Sequence, residues 1–525
     1  MAAPSAKSGL SATPPTFAIK GAHNSILLEM TGLGQNPPSG RLLRGLSPYL
    51  DEQEATHVFL LTERRRREPW SLQPDKLVTY QEIVHWARGP EGESYRGVVS
   101  STNRLGRDEV IQAFEYEPLS LIEWAARRLE TAVVSSREPI LLDVCYIPKP
   151  WGREGWYTGI EKRGVSRVRS ATGVTSLPYA LGMFPVPISG EKEEPPILVK
   201  TLEPLPEPVY GDLYLEVHRE KWETYVVLQV NREAWPDGVG GLRAGLHPEV
   251  MDEYRGRHGA AWEDKLSADL VQTIRDYEQV RRSIDDQLDA ALREREANPQ
   301  EPVAPDLHRE LLAELPDTLR AEEERRRAAV ERFLGKVPLH EGSVVTLPPG
   351  VLHSLQHGVK VIEFQTPTYE RLIAMFAQKV LTQPHWDVQD AVALMEKAPY
   401  EAPAPEVLTT EEGLAIERIV DFPQFVVDRV MLEQDRVLPA QTEGNNQYQL
   451  TVVTQGKGEL ALPDGRTYPL EPEVAYLLPA AMGAFSVKAI AAQGLTYLRC
   501  SPRLEANKEP PTVKVSVEDA LERTW

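Results

Sequence analysis

The sequence predicts a mainly β protein, with two β-barrels or sandwiches, a helical insertion in the first of them, and an α+β extension ahead of both. Three observations carry this. From Pro139 onward, short runs rich in β-branched and aromatic residues alternate with Pro and Gly turns, as half-buried strands with tight connections do. Residues about 248–335 break that texture with apolar positions every three or four residues, the period of one helix face. The 44 prolines among 525 residues suit many turns and short strands better than a bundle of long helices. A chain of this length exceeds a single core, so roughly two to four domains are expected.

Residues 1–20 read as a disordered lead, because Met1 to Thr16 is small, polar and proline-containing and lacks the apolar centre of a signal peptide. Residues 21–140 form an N-terminal α+β region to which no role attaches. It has strand-like runs at Val58–Leu61 and Gly97–Ser100, and a helix over Leu119–Leu129 with Leu119, Ile122, Trp124, Ala125 and Leu129 on its apolar side. Its four arginines, Arg64 to Arg67, read as a solvated surface flanked by glutamates.

Residues 141–400 are expected to make the first β domain, with strands at Ile197–Lys200, Tyr214–Val217 and Thr224–Val230. Inside it Leu266, Leu270, Ile274, Tyr277, Val280, Ile284, Leu288 and Leu292 line one face of a long helix that stops at Asn298-Pro-Gln-Glu-Pro302. A second helix is expected around Leu307–Phe333, where Arg325 to Arg327 follow Glu322 to Glu324 in register for i,i+3 pairs. Strands resume from His340 to Phe364, then a helix is expected over about Glu370–Leu381 and a Pro- and Ala-rich linker near Tyr400–Pro405. Residues 406–505 return to strand and turn, with a hairpin signal at Pro463-Asp-Gly465. Residues 506–525 read as a tail.

The bulk properties narrow the function classes. A formal charge of −20 argues against a general binder of nucleic acid or anionic membrane, because like charge repels a polyanion; a local basic pocket for a small anion stays open. Only Cys145 and Cys500 are present, so a disulfide framework is not expected and the reducing cytosol is the expected compartment. No apolar run approaches the roughly 18–20 residues that span a bilayer.

Two stretches fit together as halves of one metal site. The first, Gly211 to Glu223, contains Glu216, His218, Lys221 and Glu223; the second, Gly342 to His353, contains Pro348, Gly350 and His353. On a strand, residues two apart share a face, so Glu216 and His218 point the same way. A tight turn over Arg219 to Trp222 would return Glu223 on the neighbouring strand, and Pro348-Pro-Gly350 would turn the chain to deliver His353. Two imidazoles and two carboxylates suit Zn2+ or another first-row divalent ion such as Fe2+ or Mn2+.

These stretches resemble the two cupin motifs. Glu216, His218 and Glu223 stand in the first motif, Glu216 where many cupins have histidine, and Gly342, Pro348, Gly350 and His353 match the second without a gap. More narrowly, Trp151-Gly152, the strand Pro196–Lys200, Glu216-Val-His218, Lys221-Trp-Glu223, the Pro348–His353 turn and Glu363 to Arg371 resemble segments of type I phosphomannose isomerases over about residues 145–500. That resemblance implies two cupin (jelly-roll) barrels and a metal held by Glu216, His218, Glu223 and His353. It implies an aldose–ketose isomerase acting on a small-molecule carbohydrate, with or without phosphate, through an enediol. Lys221 and Arg371 would bind an anionic group on the sugar, and Glu363 and Lys221 would handle protons, with the base itself unassigned. The chain departs from the family in that Glu216 replaces a glutamine, the turn after His218 is short, a Ser-Asp before the Arg371 segment is absent, the helical insertion is larger or differently placed than in short bacterial forms, and the first 140 residues have no recognised counterpart. Residues 441–499 contain no histidine, so the second barrel reads as metal-free and structural. Two function classes stay open: the isomerase, and a cupin without isomerase activity, either a metal-dependent oxygenase or a sugar-binding or regulatory protein.

Overall fold

The computed structural model describes residues 17–33, 38–90, 92–190, 195–301, 303–442 and 447–503. The chain is mainly β and divides into two compact units. The first combines residues 1–145, 157–196 and 405–525; the second combines 146–156 and 197–404.

In the second unit two sheets share one hydrophobic core. A six-stranded sheet runs Val344–Leu347, Glu223–Val230, Val359–Gln365, Leu198–Pro204, Gly152–Trp156, Cys145–Lys149; a five-stranded sheet runs Leu334–Leu339, Gly240–Leu246, His353–Leu355, Leu215–Val217, Leu372–Met375. Alternation along these strands sends Tyr225, Val227 and Val361 from one sheet toward Val217, Leu242 and Leu355 from the other. Trp151 is fully buried in the same core.

The insertion is helical: Pro248–His258, Trp262–Glu294, Pro305–Ala313 and Asp317–Glu331. Leu266, Leu270, Ile274 and Tyr277 of the long helix join the core of the sheets, while Ile284, Leu288 and Leu292 pack with Leu311 and Leu315. The apolar stripe is therefore core along its whole length. The single helix expected over Leu307–Phe333 is instead two, because Pro316 has no N–H to donate and starts the second helix as its cap. The helix expected over Glu370–Leu381 is not formed. Leu372–Met375 is a strand pairing with Leu215–Val217, and this long-range pairing overrides a weak local helix preference.

In the first unit the N-terminal sheet takes its six strands in chain order, and Ser25–Leu33 runs parallel to His57–Arg67. Phe17–Gly21 is its edge strand, so the expected lead is shorter than 20 residues; residues 1–16 and the tail 506–525 lie outside the described residues. The helices Arg107–Tyr116 and Leu121–Leu129 pack on this sheet through Val110, Phe114, Ile122 and Leu129. The arginine run lies on the His57–Arg67 strand, and alternation turns Arg64 inward. Its guanidinium lies 3.5 Å from the Glu82 carboxylate and 3.0 Å from Ser39 Oγ, buried, which corrects the expectation of a solvated run.

The C-terminal part of this unit has a nine-stranded sheet, with Ala475–Leu478, Gln449–Gly456, Leu495–Pro502, Phe425–Leu432, Leu414–Asp421 and Glu406–Glu411 adjacent in that order. A four-stranded sheet of Val437–Gln441, Ala484–Ala489, Gly458–Ala461 and Thr467–Leu470 shares a core with it. No helix among the described residues is long and apolar enough to cross a membrane.

Candidate metal centre

The two halves read from the sequence meet in the second unit. Glu216 lies directly across the ladder from His353. His218 follows one residue beyond its strand, and its carbonyl accepts from Gly350 N–H at 2.9 Å. That bond ties the first half to the turn that delivers His353. Gly350 sits at φ +89°, a left-handed conformation that glycine adopts without steric cost. Glu223 opens a strand of the six-stranded sheet, whereas Glu216 and His353 belong to the five-stranded one. The turn over residues 219–222 therefore crosses from sheet to sheet rather than closing a hairpin, and the centre draws on both walls of the core.

The side chains converge. His218 Nε2 is 3.1 Å from Glu223 Oε1, His353 Nε2 is 2.8 Å from the same oxygen, and His218 Nε2 is 4.0 Å from Glu216 Oε1. His353 Nδ1 donates to the Val351 carbonyl at 2.9 Å, which leaves Nε2 facing the cluster with a lone pair in the neutral ring. Despite its closeness to Glu223, His353 Nε2 makes no hydrogen bond, and neither do His218 Nδ1 or Glu216 Oε2, all of them buried. Lone pairs packed this closely repel unless a proton or a cation lies among them. Glu216, His218 and His353 offer ligand atoms within 4.8 Å of one another. The donor set and its orphaned atoms fit a divalent cation.

Burial works to lower His353, but Glu223 and then Glu216 outweigh it and raise this ring toward a proton, whereas the other three groups sit in their ligand forms. Burial works to raise the Glu223 carboxyl, but Lys221 and His218 outweigh it and hold the group well below the usual carboxylate range. Glu216 is likewise held low against burial by His218, Lys221 and Arg371. Burial, with Lys221 adding, lowers His218 and keeps its imidazole neutral.

Beside this cluster lies a second buried chain of charges. Lys221 Nζ is 2.9 Å from Glu223 Oε2. Lys200 Nζ is 3.1 Å from Glu363 Oε2 and 4.0 Å from Glu154 Oε1, and Glu154 also meets Lys149 at 3.1 Å and Trp156 Nε1 at 2.8 Å. Burial and the Glu223 charge push Glu363 well above the carboxylate range, while burial of Lys200 is outweighed by Glu363, Glu154 and Glu223, so it stays a cation. The two shifts pull against each other across one contact. We take Glu363 as the proton holder, since Glu154 and Glu223 suffice to keep Lys200 charged. Tyr225 meets the His353 ring edge-on, with its hydroxyl 3.5 Å from Glu223 Oε1.

Lys221 and Glu363 thus join the four ligand candidates. Arg371 sits on an irregular segment before Leu372–Met375, its guanidinium 4.7 Å from the Tyr214 ring centroid and 2.8 Å from Thr382 Oγ1. Burial lowers its basicity, but Glu216 and Tyr214 outweigh that and raise it. Next to it, the Glu370 carboxylate accepts from the backbone N–H groups of Arg219 and Glu220 at 2.6–3.0 Å, pinning the turn between His218 and Lys221. His357 stands apart, bonded to Asp212 and stacked on Trp235. Lys200, Glu154, Tyr225 and Glu370 were missed as site residues. Strand alternation places Lys200 with Leu202 and Tyr225 with Glu223, a signal present in the sequence; Glu370 gave none.

Matches among solved structures include mannose 6-phosphate isomerases. The Bacillus subtilis protein is 16% identical, with 69% of this chain and 99% of that chain covered at a TM-score of 0.47. A mutant phosphomannose isomerase from Salmonella typhimurium is 14% identical over 70% of this chain and all (100%) of that one, TM-score 0.48. A zinc-bound mannose 6-phosphate isomerase is 14% identical over 70% and 100%, TM-score 0.46. These structures bear the same family name as the motifs read above, at a divergence that carries no conclusion about activity. No family model matches the chain, and no curated protein matches it.

Proposed function

We propose that this protein is a metal-dependent aldose–ketose isomerase acting on a sugar or sugar phosphate, with its centre in the first of two cupin-like β domains. The observation that carries the reading is the joining of a four-residue ligand set to a buried proton-holding carboxyl. Glu216, His218, Glu223 and His353 would hold Zn2+. A bound divalent cation supplies positive charge that stabilises an oxyanion developing at the sugar carbonyl.

The residues of the chain supply the rest. Isomerisation moves a proton between C1 and C2 and needs one group that gives up and regains it. Glu363, a buried carboxyl with its pKa displaced upward, is suited to hold that proton near neutral pH. Lys200 keeps it in place, and Glu154 with Lys149 keeps Lys200 in place. Lys221 and Arg371 offer fixed cations to an anionic group on the substrate, Arg371 through a planar fork suited to oxyanions.

A second reading is favoured by one detail. Both Glu223 oxygens lie against other side chains, so the open ligand group narrows to Glu216, His218 and His353. Two histidines and one carboxylate suit non-haem iron and oxygen chemistry.

The test is metal analysis combined with a coupled isomerase assay over a panel of aldose and ketose phosphates. Isomerase turnover with zinc bound, lost in Glu363→Gln with the metal retained, supports the first reading. Iron bound, oxygen consumed and no sugar turned over would overturn it in favour of the second.

A further inference from the structure

The C-terminal sheets repeat the strand order of the metal-centre sheets. Ala475–Leu478, Gln449–Gly456, Leu495–Pro502, Phe425–Leu432, Leu414–Asp421 and Glu406–Glu411 follow one another as Val344–Leu347, Glu223–Val230, Val359–Gln365, Leu198–Pro204, Gly152–Trp156 and Cys145–Lys149 do. In the opposing sheets, Thr467–Leu470, Gly458–Ala461, Ala484–Ala489 and Val437–Gln441 follow the order of Leu334–Leu339, Gly240–Leu246, His353–Leu355 and Leu215–Val217. The irregularity between Val227 and Gln229 recurs between Val453 and Gln455.

Pairing registers then superpose the two interiors residue by residue. Tyr225 faces Glu363, and Thr451 faces Arg499; Glu363 faces Lys200, and Arg499 faces Asp428. Glu223 and Gln449 stand across from Leu347 and Leu478. Glu216 pairs with His353, and the inward-facing pair on the matching strands is Ala440 with Phe485. The metal centre thus has a counterpart in which Ala440, Gln449 and Phe485 stand in place of Glu216, Glu223 and His353, and the Asp428–Arg499 pair stands in place of the Lys200–Glu363 pair with acid and base exchanged.

The smaller sheet fills its inner face with Phe485, Val487 and Ala489, but the larger sheet keeps polar groups on its own. Asp428 is buried between Arg418 and Arg499, with Arg499 Nη2 at 2.7 Å. Each guanidinium uses one nitrogen on Asp428, and both side chains stay about a quarter exposed, at 23% and 25%. Two cations against one carboxylate leave positive charge. Gln449 is 8% exposed, and its Oε1 has no hydrogen-bond partner. An orphaned amide oxygen and spare guanidinium donors form a polar cluster without a metal ligand set on the inner face of the larger sheet.

We propose that the C-terminal sheets hold a second, metal-independent binding site for a small polyhydroxylated oxyanion, with Arg499 and Arg418 on the anion and Gln449 and Thr451 on hydroxyls. The forked guanidinium suits phosphate and carboxylate alike, and an unsatisfied amide in a low-dielectric wall gains most from a hydroxyl donor. The proposal is independent of the activity assigned to the metal centre.

Hydrogen exchange on the metal-loaded full chain tests it, with glucose 6-phosphate, gluconate and neutral glucose as probes. The expected result is saturable protection of residues 449–456 and 484–502 by at least one of the two anions and not by glucose, a phosphate-only or carboxylate-only response identifying the preferred oxyanion. Arg499→Gln should weaken it about tenfold or more with metal content unchanged. Gln449→Leu removes the orphaned oxygen, and should weaken binding similarly without loss of thermal stability. Protection confined to residues 223–230 and 353–365, protection nowhere, or a Gln449→Leu chain that loses stability and binds as before would each overturn the proposal.

Discussion

Glu223 and Lys221 should be strongly coupled. Glu223 is 1% exposed, and Lys221 Nζ sits 2.9 Å from its Oε2. At an effective dielectric near 20, two unit charges at 2.9 Å attract by about 6 kcal/mol. Desolvation of both groups returns part of this, so removing one partner and stranding the other should cost roughly 3–5 kcal/mol. Glu223→Gln leaves the ammonium in a nearly dry site; Lys221→Met leaves the carboxylate beside two imidazoles at 2.8 and 3.1 Å and the Tyr225 hydroxyl at 3.5 Å. The double variant strands neither, so its loss should fall short of the summed single losses by about 1–3 kcal/mol. Hydrogen exchange of the Glu223–Val230 amides in chelator-treated protein reads the local opening free energy. Additive single losses would refute the reasoning, because the pair would then be no more than two independent polar side chains.

Other outcomes follow from the same contacts. His218→Ala and His353→Ala should each abolish metal retention, measured by elemental analysis after dialysis; stoichiometric metal in both would remove the site. The Glu363 carboxyl, raised by burial and by Glu223, favours folding fully below its unfolded pKa of about 4.3 and loses that contribution as pH rises toward its folded value. Glu363→Gln should therefore gain stability relative to the parent between pH 4 and pH 8, read from thermal midpoints, and a constant difference would contradict the shift. His85 is held down to about 3 by burial, then by His57 and Arg96, so its ring should stay neutral from pH 5 to pH 8 by NMR; stability tied to it is lost only as pH falls below about 6.5. Gly152→Ala would place a Cβ 2.1 Å from the Glu203 carbonyl oxygen at φ +148°, a clash with backbone that should cost roughly 1–3 kcal/mol or more in chemical unfolding.

What the sequence disclosed and what it hid follow from the range of the forces involved. The ligand candidates were legible because strand alternation and a Pro-Gly turn are local rules, and Glu216, His218, Gly350 and His353 obey them. The crossing of residues 219–222 between sheets was not legible, since a four-residue connection suits a hairpin as well as a corner. Leu372–Met375 looked helical for the same reason: its strand partner lies more than 150 residues away at Leu215–Val217. Arg64 was misread because its partner Glu82 enters from the next strand and no charge pattern within the run reveals it. Lys200 could have been found, as alternation alone turns it inward with Leu202. The repeat of the two interiors was hidden more deeply. Val226-Val-Leu-Gln229 and Val452-Val-Thr-Gln455 are too short to signal a duplication, and only pairing registers bring Gln449 onto Glu223.

Anomalous scattering at the zinc absorption edge, from a crystal of protein grown with zinc, tests the central claim most directly. A single strong peak within roughly 2.0–2.2 Å of Glu216, His218, Glu223 and His353 ligand atoms is the result expected. No peak among these side chains, or zinc bound only elsewhere on the chain, would contradict it.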